Sequence, residues 1–271
     1  MSPTARPCEA DGMADALRMH VLPSLRDPAL VLAFAGWNDA GEAATSAARF
    51  VADALHAVPL AEIDAEEFYD FTVRRPVVRL DAGARRRIEW PRNEFLLASM
   101  DPARELVIGI GPEPHLRWGA FTDHIEHLAD QLGVRRVVLL GAFLADVVYS
   151  RPVGLTGFAS APDLLDKLCV PLSTYQGPTG IVAVVADRLM RSGRDVVSVW
   201  AGLPHYISIS PNPRGALALL EKLREFLGLE LDETPLRVAA AEFEERISAL
   251  VAADPEISEY VRQLKRREFA Q

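Results

Sequence analysis

Cysteine is scarce in this 271-residue chain, and its two cysteines, Cys8 and Cys169, lie far apart in the sequence. Neither belongs to a CxxC pair, so the sequence argues against a disulfide framework and against a cysteine zinc site. Free thiols are typical of a reducing compartment, and we therefore expect a cytoplasmic protein.

Long apolar runs are absent as well. The opening segment MSPTARPCEADGMADALRMHVL carries acidic side chains and lacks the uninterrupted apolar stretch of a signal peptide. No other run approaches the length needed to span a bilayer. The formal net charge of -9 opposes binding to nucleic acid or to an anionic membrane, because both attract cationic surfaces. We therefore expect a protein or a small molecule as the partner.

Lysine occurs only at Lys167, Lys222 and Lys265, and none of the three stands beside a glycine-rich loop. The chain has no GxGxxG and no P-loop, and the GxSxG and SxxK motifs of acyl transfer are missing too. These patterns assign no catalytic residue, and we expect neither a cofactor nor a metal ion. An enzymatic function is therefore the weaker of two hypotheses.

Four short apolar runs, at residues 30–36, 106–111, 134–144 and 195–202, are rich in Val, Ile and Leu without alternation. Such runs are typical of strands buried on both faces, as in a parallel sheet. Helical patterns separate them, for example Phe121, Ile125, Leu128 and Leu132. Alternating strands and helices predict a three-layer α/β/α domain with a mostly parallel central sheet, over residues 25 to 230. Residues 1 to 24 are predicted to form an N-terminal arm.

Residues 65 to 100 interrupt this rhythm and predict a β-rich excursion, with Pro76 and Gly83 between short β-like runs. Seven arginines lie between Arg74 and Arg92, and an acidic stretch, AEIDAEEFYD, precedes them. The favoured interpretation is a solvated hairpin that pairs with its acidic neighbour within or between subunits. The alternative is a dedicated anion or nucleic-acid surface.

Residues 231 to 271 have a purely helical pattern. Leu236, Phe243 and Ile247 belong to one apolar stripe, and Ile257 and Leu264 belong to another. Each predicted helix has one apolar face and needs a surface to cover it. We expect a C-terminal helical extension, folded as a hairpin on the main domain or across a subunit interface.

The segment GWNDAGEAAT follows the first buried strand and opens a helix. Gly36 is predicted to permit a tight turn, Trp37 to cover apolar surface, and Asn38 to bond loop backbone. Asp39 and Glu42 have the spacing of a capping box, in which each satisfies an amide at the helix start. Asp39 as a carboxylate in a binding site is the alternative.

Further polar residues stand at predicted strand ends or in the loops that follow, where α/β folds bind ligands. With the opening segment they define a candidate ligand-binding crevice of Trp37, Asn38, Asp39, Glu113, Asp146, Arg151, Thr179, His205 and Tyr206. Asp146 and Arg151 either form a buried ion pair or line a pocket. Thr179 is predicted to cap a helix.

Two sets of histidines need separate interpretations. His205 either bonds loop backbone or serves the crevice, because it follows a predicted strand next to Tyr206. His124 and His127 share a helix face at a spacing that can hold a metal, but no third ligand stands nearby. Both are therefore predicted to face solvent.

Several motifs follow one another along the chain: GWNDAGEAAT, GPEP followed by Trp118, SRPV, GPTGI, and PHY with PNP. In this combination and order the chain resembles the proteasome assembly chaperone 2 family, in its actinobacterial and archaeal branch. The resemblance implies a phosphorylase/hydrolase-like fold, self-association with a trimer as the first expectation, and a role in protein assembly with proteasome subunits as candidate partners. Related factors dock through a tail of a hydrophobic residue, Tyr and any residue. Here Phe269-Ala270-Gln271 lacks the tyrosine.

Two functional hypotheses result. In the favoured one the protein is a chaperone-like module that binds other polypeptides. In the alternative the crevice binds a nucleoside or a phosphorylated metabolite, with or without a reaction. An ATP-grasp ligase is disfavoured, because such enzymes need lysines and a glycine-rich loop over the triphosphate.

Overall fold

The structure is a computed structural model in which residues 16–81 and 83–269 are described. Most of the predicted N-terminal arm, residues 1–15, lies outside the described residues. So do Ala270 and Gln271 of the tail. The described end of the arm contains a short strand, Leu17–Met19, at one edge of the main sheet.

Ten strands and seven α-helices are found in the described residues. The strands are β1 (Leu17–Met19), β2 (Ala29–Ala35), β3 (Val58–Ile63), β4 (Val77–Leu80), β5 (Arg86–Glu89), β6 (Asn93–Asp101), β7 (Arg104–Pro112), β8 (Arg136–Ala145), β9 (Gly154–Ala159) and β10 (Asp195–Pro204). The helices are α1 (Ala43–Ala54), α2 (Trp118–Gln131), α3 (Pro162–Leu168), α4 (Ile181–Arg191), α5 (Pro213–Leu227), α6 (Thr234–Ala253) and α7 (Pro255–Phe269).

Eight strands form one sheet in the order β1-β3-β6-β7-β2-β8-β10-β9. The four central strands, β7, β2, β8 and β10, are parallel and correspond to the four apolar runs of the sequence. The flanking strands pair antiparallel. The two-residue connection between β6 and β7 allows only an antiparallel pair, since a parallel pair needs a long crossover. The sheet is thus parallel at its centre and antiparallel at both sides.

Helices cover both faces of the sheet and confirm the three-layer α/β/α architecture. Helices α1 and α5 enclose one apolar core with residues such as Val51, Leu140 and Leu219. Helices α2 and α4 enclose the other, with residues such as Phe121 and Val185. Residues that alternate along β8 enter the two cores in turn, because successive side chains of a strand point to opposite faces.

The segment predicted as a single β-rich excursion divides into two parts. Strands β4 and β5 form a separate hairpin whose eight residues are all exposed. Strand β6, in contrast, belongs to the main sheet, where it pairs with β3 and β7. The arginine-rich segment bonds its acidic neighbour within the chain, for example through Arg92 and Glu62 at 3.2 Å.

The C-terminal helices pack on the main domain of their own chain. Phe243 and Ile247 of α6 and Leu264 of α7 form a buried cluster with Val148, which follows β8. Leu236 at the start of α6 joins the core under α5. These apolar residues, which could have met a second subunit, are therefore covered within the chain.

His124 was predicted to face solvent, and that prediction is wrong. The residue lies on the inner face of α2, where its side chain is 2% exposed and its ring meets Phe68 edge-on. Its Nδ1 atom has no hydrogen-bond partner within residues 16–81 and 83–269. His127 is exposed as expected. The apolar stripe of α2 is wider than the four residues that the sequence pattern identifies.

Burial lowers the pKa of His124 below its ordinary value of 6.5, since the charged imidazolium loses its hydration there. The unfolded chain then binds this proton more tightly than the folded protein, so stability falls as the pH drops below 6.5. We expect wild type to lose stability relative to His124→Leu between about pH 7 and pH 5. Urea unfolding of both proteins measures this, and a difference independent of pH would contradict it.

Candidate functional site

The turn after β2 begins at Gly36, whose φ of 129° favours glycine because L side chains rarely adopt it. The carbonyl of Gly36 accepts a hydrogen bond from the amide of Asp39 at 3.1 Å. Trp37, between them, is 60% exposed. It was predicted to cover apolar surface, and the structure instead points it outward from a tight turn.

The side chain of Asp39 binds the start of α1. Its Oδ1 accepts from the amide of Ala44 at 2.7 Å and from that of Thr45 at 3.3 Å, and its Oδ2 accepts from the Thr45 hydroxyl. The predicted helix-capping role of Asp39 is therefore present. Glu42 makes no reciprocal capping bond, so the prediction of a capping box is wrong. A 3-10 turn over Ala40–Glu42 moves the helix start to Ala43.

Asn38 is fully buried and connects three segments of the chain. Its backbone carbonyl oxygen accepts from the amide of Ala142 in β8 at 2.8 Å, and its side-chain Nδ2 donates to Glu113 Oε1 at 2.8 Å. It was predicted to bond loop backbone, but its side chain bonds a carboxylate. A Cβ atom at Gly180 would lie 2.1 Å from Asn38 Oδ1, so only glycine fits there.

Glu113 follows β7 and caps a helix that begins 68 residues later. Its Oε1 also accepts from the amide of Ile181, the first residue of α4, at 2.8 Å. Thr179 had been predicted as the cap of this helix, but it is exposed and makes no capping bond. A carboxylate at a helix start also interacts favourably with the helix dipole. The sequence offered no signal for this role, since the bond joins distant segments.

A second group of candidates surrounds His205, after β10. Its Nε2 lies 2.9 Å from the Tyr260 hydroxyl and 3.1 Å from Asp146 Oδ1, and the Tyr260 hydroxyl donates to the same Asp146 oxygen at 3.0 Å. The imidazole was predicted to bond loop backbone or to serve a crevice. It instead joins the β8 and β10 loops to α7. Tyr260 lies on a helix 55 residues away, and no local sequence pattern identifies it.

Tyr206, next to His205, holds the loop after β8 by two hydrogen bonds. Its hydroxyl donates to the carbonyl of Val147 and accepts from the amide of Tyr149, both at 3.0 Å. Burial raises the pKa of this phenol, because the phenolate would lose its hydration. The turn after β8 is thus held by a neutral tyrosine from the turn after β10.

Arg151 does not form the buried ion pair with Asp146 that was one of its two predicted roles. It pairs with Glu268 of α7 at 3.2 Å, and both side chains are partly exposed. Its other predicted role was to line a pocket, and the pocket that it lines is small. Arg151 lines a cavity of about 20 Å³ with Val148 and Phe243, large enough for about one water molecule.

Six of the nine candidates therefore fall into two groups, whereas Trp37, Arg151 and Thr179 belong to neither. One comprises Asn38, Asp39 and Glu113 with the starts of α1 and α4, and the other comprises Asp146, His205 and Tyr206 with Tyr260. Within the described ranges no set of three or more His, Cys, Asp or Glu side chains is arranged to hold a metal ion. In that same part of the chain, every helix is too short or too polar to cross a bilayer.

Comparison with known proteins places this architecture. The sequence model described as the PAC2 family matches residues 33–251. The chain belongs to the PAC2 family. No curated protein matches it significantly.

Solved structures agree with this membership. A PAC2 family protein from Streptomyces avermitilis is 39% identical, with a TM-score of 0.81, over 87% of this chain and 100% of that one. The proteasome-assembly chaperone homologue Rv2125 of Mycobacterium tuberculosis is 38% identical, with a TM-score of 0.79, over 86% and 99%. PbaB of Pyrococcus furiosus, an archaeal proteasome activator, shares the fold at 18% identity and a TM-score of 0.70, over 86% and 97%.

Asp39 in this PAC2 protein should make stability depend on pH. Burial raises its pKa above the usual 3.8 and outweighs the hydrogen bonds from Thr45 and Ala44, which lower it. The stability that Asp39 contributes is then largest below pH 3.8 and is lost as the pH rises through the raised value. We expect wild type to lose stability relative to Asp39→Asn between about pH 3.5 and neutrality. Asparagine keeps a side-chain oxygen that can accept from the helix amides, but it cannot ionise.

Asp39→Ala removes the acceptor altogether and is expected to cost about 1 kcal/mol of unfolding free energy. Urea unfolding of wild type and both variants at several pH values measures the two effects. An alanine variant as stable as wild type would refute the capping role of Asp39.

Proposed function

We propose that this PAC2 protein is a chaperone-like module that binds other polypeptides, with proteasome subunits as its clients in the cytoplasm. Its membership of the family supports the proposal, as does its 38% identity to a proteasome-assembly chaperone homologue. The surface at the carboxyl ends of the central strands carries the structural argument.

That surface has apolar side chains on its outside. Trp37 is 60% exposed and Tyr175 65% exposed, and Phe143 at the end of β8 is also exposed. These residues stand on segments that meet one another, since Asn38 bonds Ala142 and lies against Gly180. We name Trp37, Phe143 and Tyr175 the apolar rim. Exposed aromatic side chains are enriched at the interfaces of proteins with other proteins.

The carboxylates of the same edge bond the protein itself. The carboxylates of Asp39 and Glu113 accept from amides at the starts of α1 and α4. A small anionic metabolite would have to replace these carboxylates at the helix starts, where their charge opposes it. The geometry therefore supports polypeptide binding over the metabolite-binding alternative.

We further propose that the protein self-associates through the hairpin β4–β5, with a trimer as the first expectation. Directly opposed residues of an antiparallel pair share a face, and Val78 opposes Ile88 while Leu80 opposes Arg86. Val78, Leu80 and Ile88 are therefore together on one face, each more than half exposed. We name them the outer hairpin face. A contact with a second copy would bury this apolar surface.

Removal of the apolar rim should weaken client binding without unfolding the protein. We expect Trp37→Ala combined with Tyr175→Ala to lower assembly of proteasome core particles from purified α- and β-subunits, because these exposed rings contact the client. Size-exclusion chromatography of the assembly mixture measures the yield. Val238→Ala is the control, since Val238 is 52% exposed on α6. Equal yields with wild type, rim variant and no added protein would refute the proposal.

A charge on the outer hairpin face should break self-association. We expect Val78→Glu to shift the mass by light scattering toward the 29.7 kDa of one chain, since the new carboxylate, opposite the apolar Ile88, would lose its hydration on burial. Val77→Glu, on the opposite face of the same strand, is the matched control. Wild type that already scatters as one chain at micromolar concentration would contradict the oligomer.

A further inference from the structure

A groove of about 1200 Å³ lies beneath the hairpin, on the face of the sheet that carries α1. Helix α1 packs against β2, β7 and β8, and beyond it Glu94 and Leu96 of β6 form the floor of the groove. Val77, Arg79, Arg87 and Glu89, which share the inner face of the hairpin, form its roof. We call this space the hairpin groove.

Some of the charges that line the hairpin groove neutralise one another. Arg18 pairs with Asp64 at 2.8 Å, and Arg79 pairs with Glu89 at 3.2 Å. Arg92 pairs with both Glu62 and Glu94. These pairs satisfy most of the acidic side chains on the walls.

Four arginines that line the groove remain without an ion pair in the described part of the chain. They are Arg49 on α1, Arg74 and Arg75 before β4, and Arg87 on β5. The unpaired acidic side chains in the lining are Asp53 and Glu66. Arginine is the side chain best suited to bind carboxylates through two parallel hydrogen bonds. The unpaired charges therefore favour an anionic occupant.

The apolar part of the lining indicates what kind of anion fits. Val77 and Trp90 are about half exposed at the groove, and the Trp90 ring meets Phe71 edge-on at 4.9 Å. An inorganic anion would leave these side chains uncovered, whereas a polypeptide with acidic and apolar residues covers both types of surface. Within the described strands, each strand of the hairpin also pairs with only one neighbour. An extended segment can bond such an edge.

Nucleic acid fits this surface less well. Its phosphates would meet Asp53 and Glu66 in the lining, and the formal net charge of -9 repels a polyanion at long range. A short acidic peptide can place its carboxylates at the arginines alone. The groove is thus suited to local recognition of carboxylates within a polypeptide.

We propose that the hairpin groove binds an extended acidic segment of a partner polypeptide, with its carboxylates on Arg74, Arg75 and Arg87 and an apolar side chain on Trp90. The inference rests on the proposed function as a polypeptide-binding protein, and it names the chemistry of the partner. It uses the inner face of the hairpin, opposite the outer hairpin face assigned to self-association.

Adjacent arginines of β5 provide the test. Arg87 lines the groove, whereas Arg86 opposes Leu80 and faces outward, and both are exposed without an ion pair in the described residues. The probe is a fluorescein-labelled peptide of about twelve alternating Glu and Leu residues, long enough to follow a strand. A matched peptide has Lys in place of each Glu. Fluorescence anisotropy measures the affinity of the full chain for both.

We expect wild type to bind the Glu peptide at least about tenfold more tightly than the Lys peptide. Arg87→Glu should weaken binding of the Glu peptide by about tenfold, and Arg86→Glu by less than about twofold. Equal losses in both variants would show that the overall charge of the hairpin acts rather than the groove, and would overturn the proposal. So would equal affinity for the two peptides.

Two further outcomes would assign the groove to another occupant and overturn the proposal. One is tighter binding of a single-stranded DNA of about twenty nucleotides, lost in Arg87→Glu. The other is conversion of an oligomer to single chains by Arg87→Glu in light scattering. The assembly assay separates the two levels of the argument. Peptide binding without assembly would retain the groove and reject the proteasome clients, whereas assembly without peptide binding would reject only the groove.

Discussion

The hydrogen bonds of the Glu113 carboxylate hold the edge of the sheet together. One oxygen accepts from Asn38, which follows β2, and from the first amide of α4. The Glu113 side chain thus connects the loops after β7 and β2 with the start of α4, and the backbone carbonyl of Asn38 extends the connection to β8. Polar atoms buried at this edge would otherwise lack partners, which costs more than a hydrogen bond gains. The loops at the carboxyl ends of the strands are therefore fixed in position by the chain itself.

This internal bonding separates the polar and apolar parts of the edge. Asn38 and Asp39 are buried with their partners, while Trp37, one residue earlier, is exposed. A second polar group, formed by Asp146, His205 and Tyr260, fastens the C-terminal hairpin over the β8 and β10 loops. Such an arrangement would present aromatic side chains on a fixed backbone to the proposed partner, which limits the conformational entropy lost on binding.

The arginine-rich hairpin owes its two surfaces to strand alternation. Neighbouring residues of β5 point in opposite directions, so Arg87 faces the groove and Ile88 shares the outer face with Val78 and Leu80. A two-stranded hairpin is marginally stable alone, and its eight exposed residues leave both of its faces accessible. Within one chain the charged face of the hairpin is turned toward the domain and the apolar face away from it, which is opposite to the pattern of a packed strand.

The sequence by itself determined the layers of the fold. Strands that are buried on both faces have continuous apolar runs, and amphipathic helices have apolar residues with a period of about 3.6. The sequence also located the turn at Gly36 and the amide-binding role of Asp39, both of which depend on residues close in the chain. Only the tertiary structure decided that Glu113 rather than Thr179 caps α4, that Tyr260 joins His205, and that His124 is buried. These outcomes depend on contacts between segments 55 or more residues apart, or on the exact width of a buried helix face. Local sequence patterns do not identify such contacts, because tertiary context decides them.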